Sequence, residues 1–361
     1  MTEISHDEIK RKLRPGRIVI PVLLGLSVVA WILLREIKTD VLTHIAFTWE
    51  SVFWLGVAFM FLISETFFYM WRIRVLSDNE LTWRQSFRII ILWEFTSAIS
   101  PSTVGGTAVA VVFLNREGIT VGRSTAIVLL TSFLDELYFV VLFPLMLLII
   151  GPDKLLINTG NNAETFILNN LVVVALLGFS IILIWVFLVG YGLFLNPQGI
   201  KKLMIAIFKL PILRRWYGAA EKAGIDIVES SRELKRKPPG FWIKAALSTF
   251  FTWTSRYLII NGILMAFFIF REHLLLFARQ LVLWIMMIIS PTPGGSGFAE
   301  VILGNYISDL IPANPDVVRS LGLTMAVLWR LVGYYPVLIA GAIIVPGWIS
   351  RKFIPKIIKK K

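Results

Sequence analysis

The chain has 361 residues, 57% of them hydrophobic and only 16% charged, with a net charge of +13 and no cysteine. A mean hydropathy of +0.76 over the whole length describes an integral membrane protein with no room for a separate globular catalytic domain. The absent cysteines exclude thiolate chemistry and disulfides. The basic residues gather in loops and tails as the positive-inside rule expects, so the charge does not point to nucleic acid.

Beyond a polar tail at 1–16, apolar runs long enough for membrane helices stand at 17–35, 51–71, 124–150, 168–194, 241–270 and 318–346. No small-residue cleavage site follows the first run, so it is expected to be retained as a helix and not removed as a signal peptide. Two more apolar runs, 86–114 and 274–307, are interrupted by near-identical stretches. One reads Ser100-Pro101-Ser102-Thr103-Val104-Gly105-Gly106-Thr107, the other Ser290-Pro291-Thr292-Pro293-Gly294-Gly295-Ser296-Gly297. Pro and paired Gly release backbone groups from helical hydrogen bonding. In hydrocarbon such breaks persist only where they are buried in protein or line a polar cavity.

Loop charge decides how these two runs are placed. If each dips in and returns, the cytoplasmic segments are the 1–16 tail, the Arg72–Arg88 stretch, the Arg116–Arg123 turn, the basic loop 196–240 and the basic tail 347–361. If each run crossed instead, the 196–240 loop would fall outside while both tails stayed inside, against the rule where its signal is strongest. The expected fold is therefore all-α and polytopic: six transmembrane helices plus two re-entrant helical hairpins, in the plasma (inner) membrane with both termini cytoplasmic. The first repeat is 17–150, an external loop covers 151–167, and the second repeat, 168–346, is inverted relative to the first. Spacing agrees, since Glu65 lies 36 residues before Pro101 and Arg256 lies 35 before Pro291. The 196–240 loop is expected to be amphipathic helix at the cytoplasmic headgroups.

Each break starts a half-helix near mid-depth, where free N–H groups and the helix dipole favour an anion. That makes Gly105, Gly106, Thr107, Gly294, Gly295, Ser296 and Gly297 candidates for binding a lipid headgroup. The alternative is that these glycines only permit tight packing of a kink. Charged residues inside spans are functional candidates by default: Glu65, Asp135 and Glu136 in the first half, Arg256 and Arg330 in the second. Two readings stay open for them. In one, Arg256 and Arg330 hold a lipid phosphate while Glu65, Asp135, Glu136 and Glu300 recognise an amine or relay protons. In the other, salt bridges such as Arg330 with Asp135 pin the halves together. Glu94, Arg88 and Arg279 rank second, and Glu300 is placed to cap a helix four residues after Ser296. His6, His44 and His273 show no metal spacing, and no nucleotide or hydrolase fingerprint is present, so neither cofactor, metal nor enzymatic activity is expected.

The stretch Pro291-Thr292-Pro293-Gly294-Gly295-Ser296-Gly297, followed by Glu300, resembles the P-T-P-G-G-x-G-x-x-E signature of the lysylphosphatidylglycerol synthase transmembrane-region, or flippase-like, family. Gly105-Gly106, then Arg123 and Asp135-Glu136, resemble its other half, although Thr107, Ala108 and Val109 stand where Gly and Glu are usual. Members fused to a cytoplasmic aminoacyltransferase make lysyl-phosphatidylglycerol, and the membrane part is thought to flip it. With the chain ending at Lys361, lysyl transfer is not expected to carry over. The resemblance implies a flippase that moves a phosphate-headed lipid, such as an aminoacyl-phospholipid or a lipid-linked intermediate, between leaflets. Two other classes remain: an integral membrane transferase acting on a lipid-linked donor, and an accessory subunit of a membrane lipid or envelope enzyme. Expected partners are anionic or zwitterionic membrane lipids, with a homo-oligomer or a partner membrane enzyme as further options and no nucleic acid.

Overall fold

The computed structural model describes residues 47–99, 103–156, 171–210, 214, 217–287, 295 and 297–353. The expected span at 17–35, the residues Ser100–Ser102, the break at Pro291–Gly294, Ser296 and the tail beyond 353 lie outside them.

In the first half, α1 (Trp49–Leu76), α2 (Trp83–Ile99), α3 (Thr103–Arg116), α4 (Val121–Ile150) and the one-turn α5 (Pro152–Leu155) follow in order. Then come α6 (Leu171–Gly190), closed by a wide π turn at Tyr191–Leu195, α7 (Pro197–Phe208) and α8 (Tyr217–Lys235). The second half continues with α9 (Pro239–Phe267), α10 (His273–Met287), α11 (Phe298–Ile307), α12 (Pro315–Gly333) and α13 (Tyr335–Phe353). The described residues are all-helical apart from turns.

Local chemistry sets the boundaries. Thr48 caps α1 reciprocally, its hydroxyl accepting from the Ser51 N–H at 3.3 Å while its own N–H donates to Ser51 Oγ at 3.1 Å. Pro336 cannot donate back to the preceding turn, so the run at 318–346 bends at Tyr334 into α12 and α13.

Among the described residues, four stretches are long and apolar enough to cross a membrane: Trp49–Leu76, Val121–Ile150, Val172–Leu195 and Val317–Val345. The expected span at 241–270 forms as a single helix, α9, of 29 residues. Its turn of Ser248, Thr249, Thr252, Thr254, Ser255 and Arg256 keeps it out of that group. Large side chains such as Leu148 (85% exposed) and Phe187 (68%) face outward, as they do on a surface solvated by lipid tails.

The interrupted runs fold back on themselves. At the base of the first hairpin, Gln85 Nε2 at the start of α2 donates to Glu117 Oε2 just past α3, at 3.1 Å. Near its tip Gly106 lies so close to Ser97 that an added Cβ would sit 2.7 Å from the Ser97 Cα. At the base of the second, Arg279 of α10 donates to the Tyr306 carbonyl of α11 at 2.7 Å and grips Asp309.

The two bases stand at opposite ends of α4. Glu117 precedes that helix, and Arg279 also donates to the carbonyl of Lys154, just beyond it, at 3.1 Å. Thirty residues of helix separate them, about 45 Å. The two hairpin bases therefore lie at opposite ends of α4.

Packing between the halves is reciprocal. The first hairpin leans on α13 through α2, and the second leans on α4 through α10. Likewise α9 meets α4 while α1 meets α12. The most extensive contact is α1 along α9, where Gly262 lets the helices approach Ala58 closely. In the 196–240 loop, α7 and α8 pack together, and α8 docks onto α4.

Candidate functional site

The α1–α9 crossing brings the two matched positions face to face. Ser64 and Ser255 share a hydrogen bond at 3.0 Å, and one residue on, Arg256 Nε donates to Glu65 Oε1 at 2.6 Å. Arg256 Nη2 also reaches Glu94 Oε1 of the first hairpin at 2.5 Å. This guanidinium is half-open: 31% of its side-chain surface stays accessible, against 5% for Glu65 and 19% for Glu94.

Two turns along α1 a second pair continues the seam. Arg72, 1% exposed, binds Asp135 of α4 with both terminal nitrogens and donates to Thr249 Oγ1 at 3.1 Å. The Trp253 indole joins the two groups, donating to Asp135 Oδ1 at 2.6 Å while its ring lies 5.1 Å from the Arg256 guanidinium carbon.

The third group lies where the hairpin tips converge. Arg330 of α12 pairs with Glu300 of α11 at 3.1 Å and donates to the carbonyl of Gly295 at 3.2 Å. Its guanidinium carbon sits 4.5 Å from the centre of the Tyr334 ring. The Tyr334 hydroxyl donates in turn to the Ala98 carbonyl, near the tip of the first hairpin, at 3.3 Å. One arginine and one tyrosine, four residues apart at the kink, thus touch both hairpins.

Several expectations change against this geometry. Arg330 and Asp135 do not pair with each other: each takes a nearer partner, Glu300 and Arg72 respectively. Glu300 does act as a cap, but for Gly297, whose N–H it accepts at 2.8 Å three residues back. Gly295 and Gly297 hold φ of +67° and +81°, a region costly for residues with a Cβ.

Arg72, placed by loop charge in a cytoplasmic stretch, is in the core. Helix α1 runs five residues beyond the expected end at 71, because Asp135 and Thr249 solvate its guanidinium there. The signal was available: Arg72 is seven residues after Glu65, on the same helical face. Glu94, ranked second, belongs at the centre. Gly106 and Gly295 sit at the tips, Gly105 and Thr107 in the first turns of α3, and Gly294 and Ser296 outside the described residues. A cavity of about 310 Å³ lies away from these charges, between Trp71, Asp78, Phe241 and Lys244, where α1 ends and α9 begins.

Comparison with known proteins agrees with the motif. The sequence matches the family described as "Lysylphosphatidylglycerol synthase TM region" over residues 18–341. The chain belongs to this family. It is also similar to a UPF0104 membrane protein of Archaeoglobus fulgidus, 29% identical over 332 residues that cover 86% of this chain and 93% of that relative. No solved structure matches. The family match takes in both hairpins and all three ion-paired groups, so the charged seam lies within the family's own region.

Proposed function

We propose that this multi-pass membrane protein moves a phosphate-headed lipid between leaflets. The headgroup would pass through the charged seam while the acyl tails stay in the surrounding hydrocarbon. The carrying observation is the convergence on Arg330 and Tyr334 of two hairpins whose bases lie at opposite ends of α4. That arrangement supports an inverted repeat with re-entrant hairpins, the layout that places a transport site at the midplane.

On this reading the arginines exchange partners during transport. Arg256 is the most open and meets a phosphate first, releasing Glu94 or Glu65; Arg330 follows by letting go of Glu300. A phosphate accepts bidentate bonds as the carboxylates do, so the guanidinium groups are never left unsatisfied. The freed acids then face any ammonium group on the headgroup. The basic end, with Arg123 and Lys237, is the cytoplasmic one in the inner membrane, and the 1–16 and 347–361 tails lie on that side.

Purified protein in vesicles containing fluorescently tagged phosphatidylglycerol tests this with a membrane-impermeant quencher. Lipid protected in protein-free vesicles becomes quenchable with wild type, and Arg330→Ala abolishes the movement while still inserting. Wild-type movement by that variant removes Arg330 from the site. A chemically altered lipid points instead to a transferase.

A further inference from the structure

The cavity where α1 ends and α9 begins holds about 310 Å³, at the small end of the range for ligand sites. Its floor is apolar and buried, from Val75 and Phe241, and Trp71 forms a half-buried wall. Its rim is exposed and polar, from Asp78, Asn79, Gly240 and Lys244. An apolar floor under a polar rim, at the end of a long apolar span, suits a molecule with a polar head and a hydrocarbon continuation.

The rim groups decide the charge of that head. Both oxygens of Asp78 are taken, Oδ1 by Lys237 at 2.7 Å and Oδ2 by Lys237 and by Arg123 at 2.6 Å. Two cations that do not themselves line the cavity thus neutralise its one acid. Asn79 accepts from Arg74 through its side-chain oxygen at 3.5 Å, which leaves its amide N–H groups without an acceptor among the described residues. Lys244 pairs with no acid among them. Free donors beside a neutralised acid select an anion, and one with several oxygens accepts from both.

A line of hydroxyls runs from this cavity into the charged seam. On α9, the buried Ser248, Thr249, Thr252 and Ser255 lie between Lys244 and Arg256, over about 18 Å of helix. Ser248, Thr249 and Thr252 donate to carbonyls of their own helix at 3.0, 2.8 and 2.7 Å, bonds that can turn to a passing anion without breaking a contact between helices. We propose that the cavity is an entry station that binds the phosphate of an anionic phospholipid headgroup from the adjoining leaflet. Lys244 and Asn79 hold the phosphate, Trp71 and Phe241 cover the glycerol end, and the head then passes along the α9 hydroxyls to Arg256. The station rests on the transport reading above for its purpose; the binding itself does not.

A chain without cysteine allows a direct probe. Gly240 lines the cavity and a Cβ there meets nothing within 4 Å, so Gly240→Cys is accommodated. In the full chain in vesicles, this cysteine should react with a neutral, membrane-permeant maleimide several times more slowly when phosphatidylglycerol is added to phosphatidylcholine. Adding Lys244→Gln should abolish the difference, and Gly218→Cys, exposed on α8, should show none. Equal rates with and without phosphatidylglycerol, slowing that survives Lys244→Gln, or the same slowing at Gly218→Cys overturns the proposal. So does slowing by soluble glycerol phosphate and not by phosphatidylglycerol, which assigns the cavity to a soluble phosphate ester. In the quencher assay, Lys244→Gln and the cavity-filling Gly240→Leu should each slow tagged phosphatidylglycerol severalfold with thermal unfolding unchanged, since both positions are exposed. Wild-type movement in either overturns the entry role. Failure of the wild type to move lipid at all defeats the transport reading, and the labelling result still decides whether the cavity binds the headgroup.

Discussion

The two halves put opposite charges at matched places. Glu65 on α1 and Arg256 on α9 hold corresponding positions before their hairpins, and they bind each other where the helices cross. Counting on by 190 residues, the separation of Pro101 and Pro291, carries Glu65 to the residue before Arg256, Glu94 onto Trp284 and Ala110 onto Glu300. The first hairpin therefore sends its acid across to the other half's arginine, whereas the second keeps Glu300 for Arg330 within its own half. The two hairpins thus carry two electrostatic arrangements. One joins the halves; the other closes a single half on itself.

The sharpest way to break that contrast is to remove charges one at a time and then together. Arg72→Met strands Asp135 beside Trp253, and loss of one partner of a buried pair costs about 3–5 kcal/mol. Thermal unfolding in detergent should show a large drop, mostly recovered by adding Asp135→Asn. The cross-half pair permits a stricter test: Glu65→Arg and Arg256→Glu should each destabilise, and the double swap should recover most of the loss. Failure of the swap to recover would show that Glu94, not the Glu65 partnership, fixes the direction of the pair.

Much of this plan is legible in sequence. Paired Pro/Gly breaks, their spacing from Glu65 and Arg256, and the basic loops point to two hairpins and to the residues that meet at the α1–α9 crossing. Partner choice is not legible, because it depends on which helices pack. Asp135 and Arg330 lie at similar depth, yet α4 turns Asp135 toward α1 and α9 while α11 brings Glu300 under Arg330. Arg72 escaped notice for a related reason: an arginine at a span's edge reads as a loop residue until a buried acid is found opposite it. The polar seam of α9 misleads in the other direction. It lowers hydropathy because it faces protein along α1 and α4, and not lipid.

The hairpin tips give a smaller effect with a different cause in each half. Gly106→Ala drives a Cβ to 2.7 Å from the Ser97 Cα, and such overpacking costs about 1–3 kcal/mol. Ser97→Gly should recover only part of that loss, because Ser97 backbone as well as side chain is in the way. At Gly295 the new Cβ meets the flexible end of Met287, but φ is +67°, which costs about 1–2 kcal/mol for a residue with a side chain. Met287→Ala should therefore not recover Gly295→Ala. Equal recovery at the two tips would mean that one cause, and not two, governs both.

The weakest effect is expected at the basic end, where the halves meet outside the spans. Asp78, in a turn with φ +53°, accepts from Arg123 at 2.6 Å and from Lys237 at 2.7 Å. Burial by itself lowers the Lys237 pKa, but its hydrogen bonds to Asp78 and Glu233 outweigh that and leave it above the ordinary 10.5. The charged form is thus favoured on folding. Its contribution is complete below 10.5 and fades as pH rises through the raised value. Asp78 keeps 36% of its side chain exposed, so solvent and salt screening hold the contribution to at most about 1 kcal/mol. Lys237→Met should lower the unfolding temperature slightly at neutral pH and low salt, with the difference from wild type shrinking in high salt and at strongly alkaline pH. A loss as large as that of Arg72→Met would mean that the halves are held together at this end as firmly as in the seam.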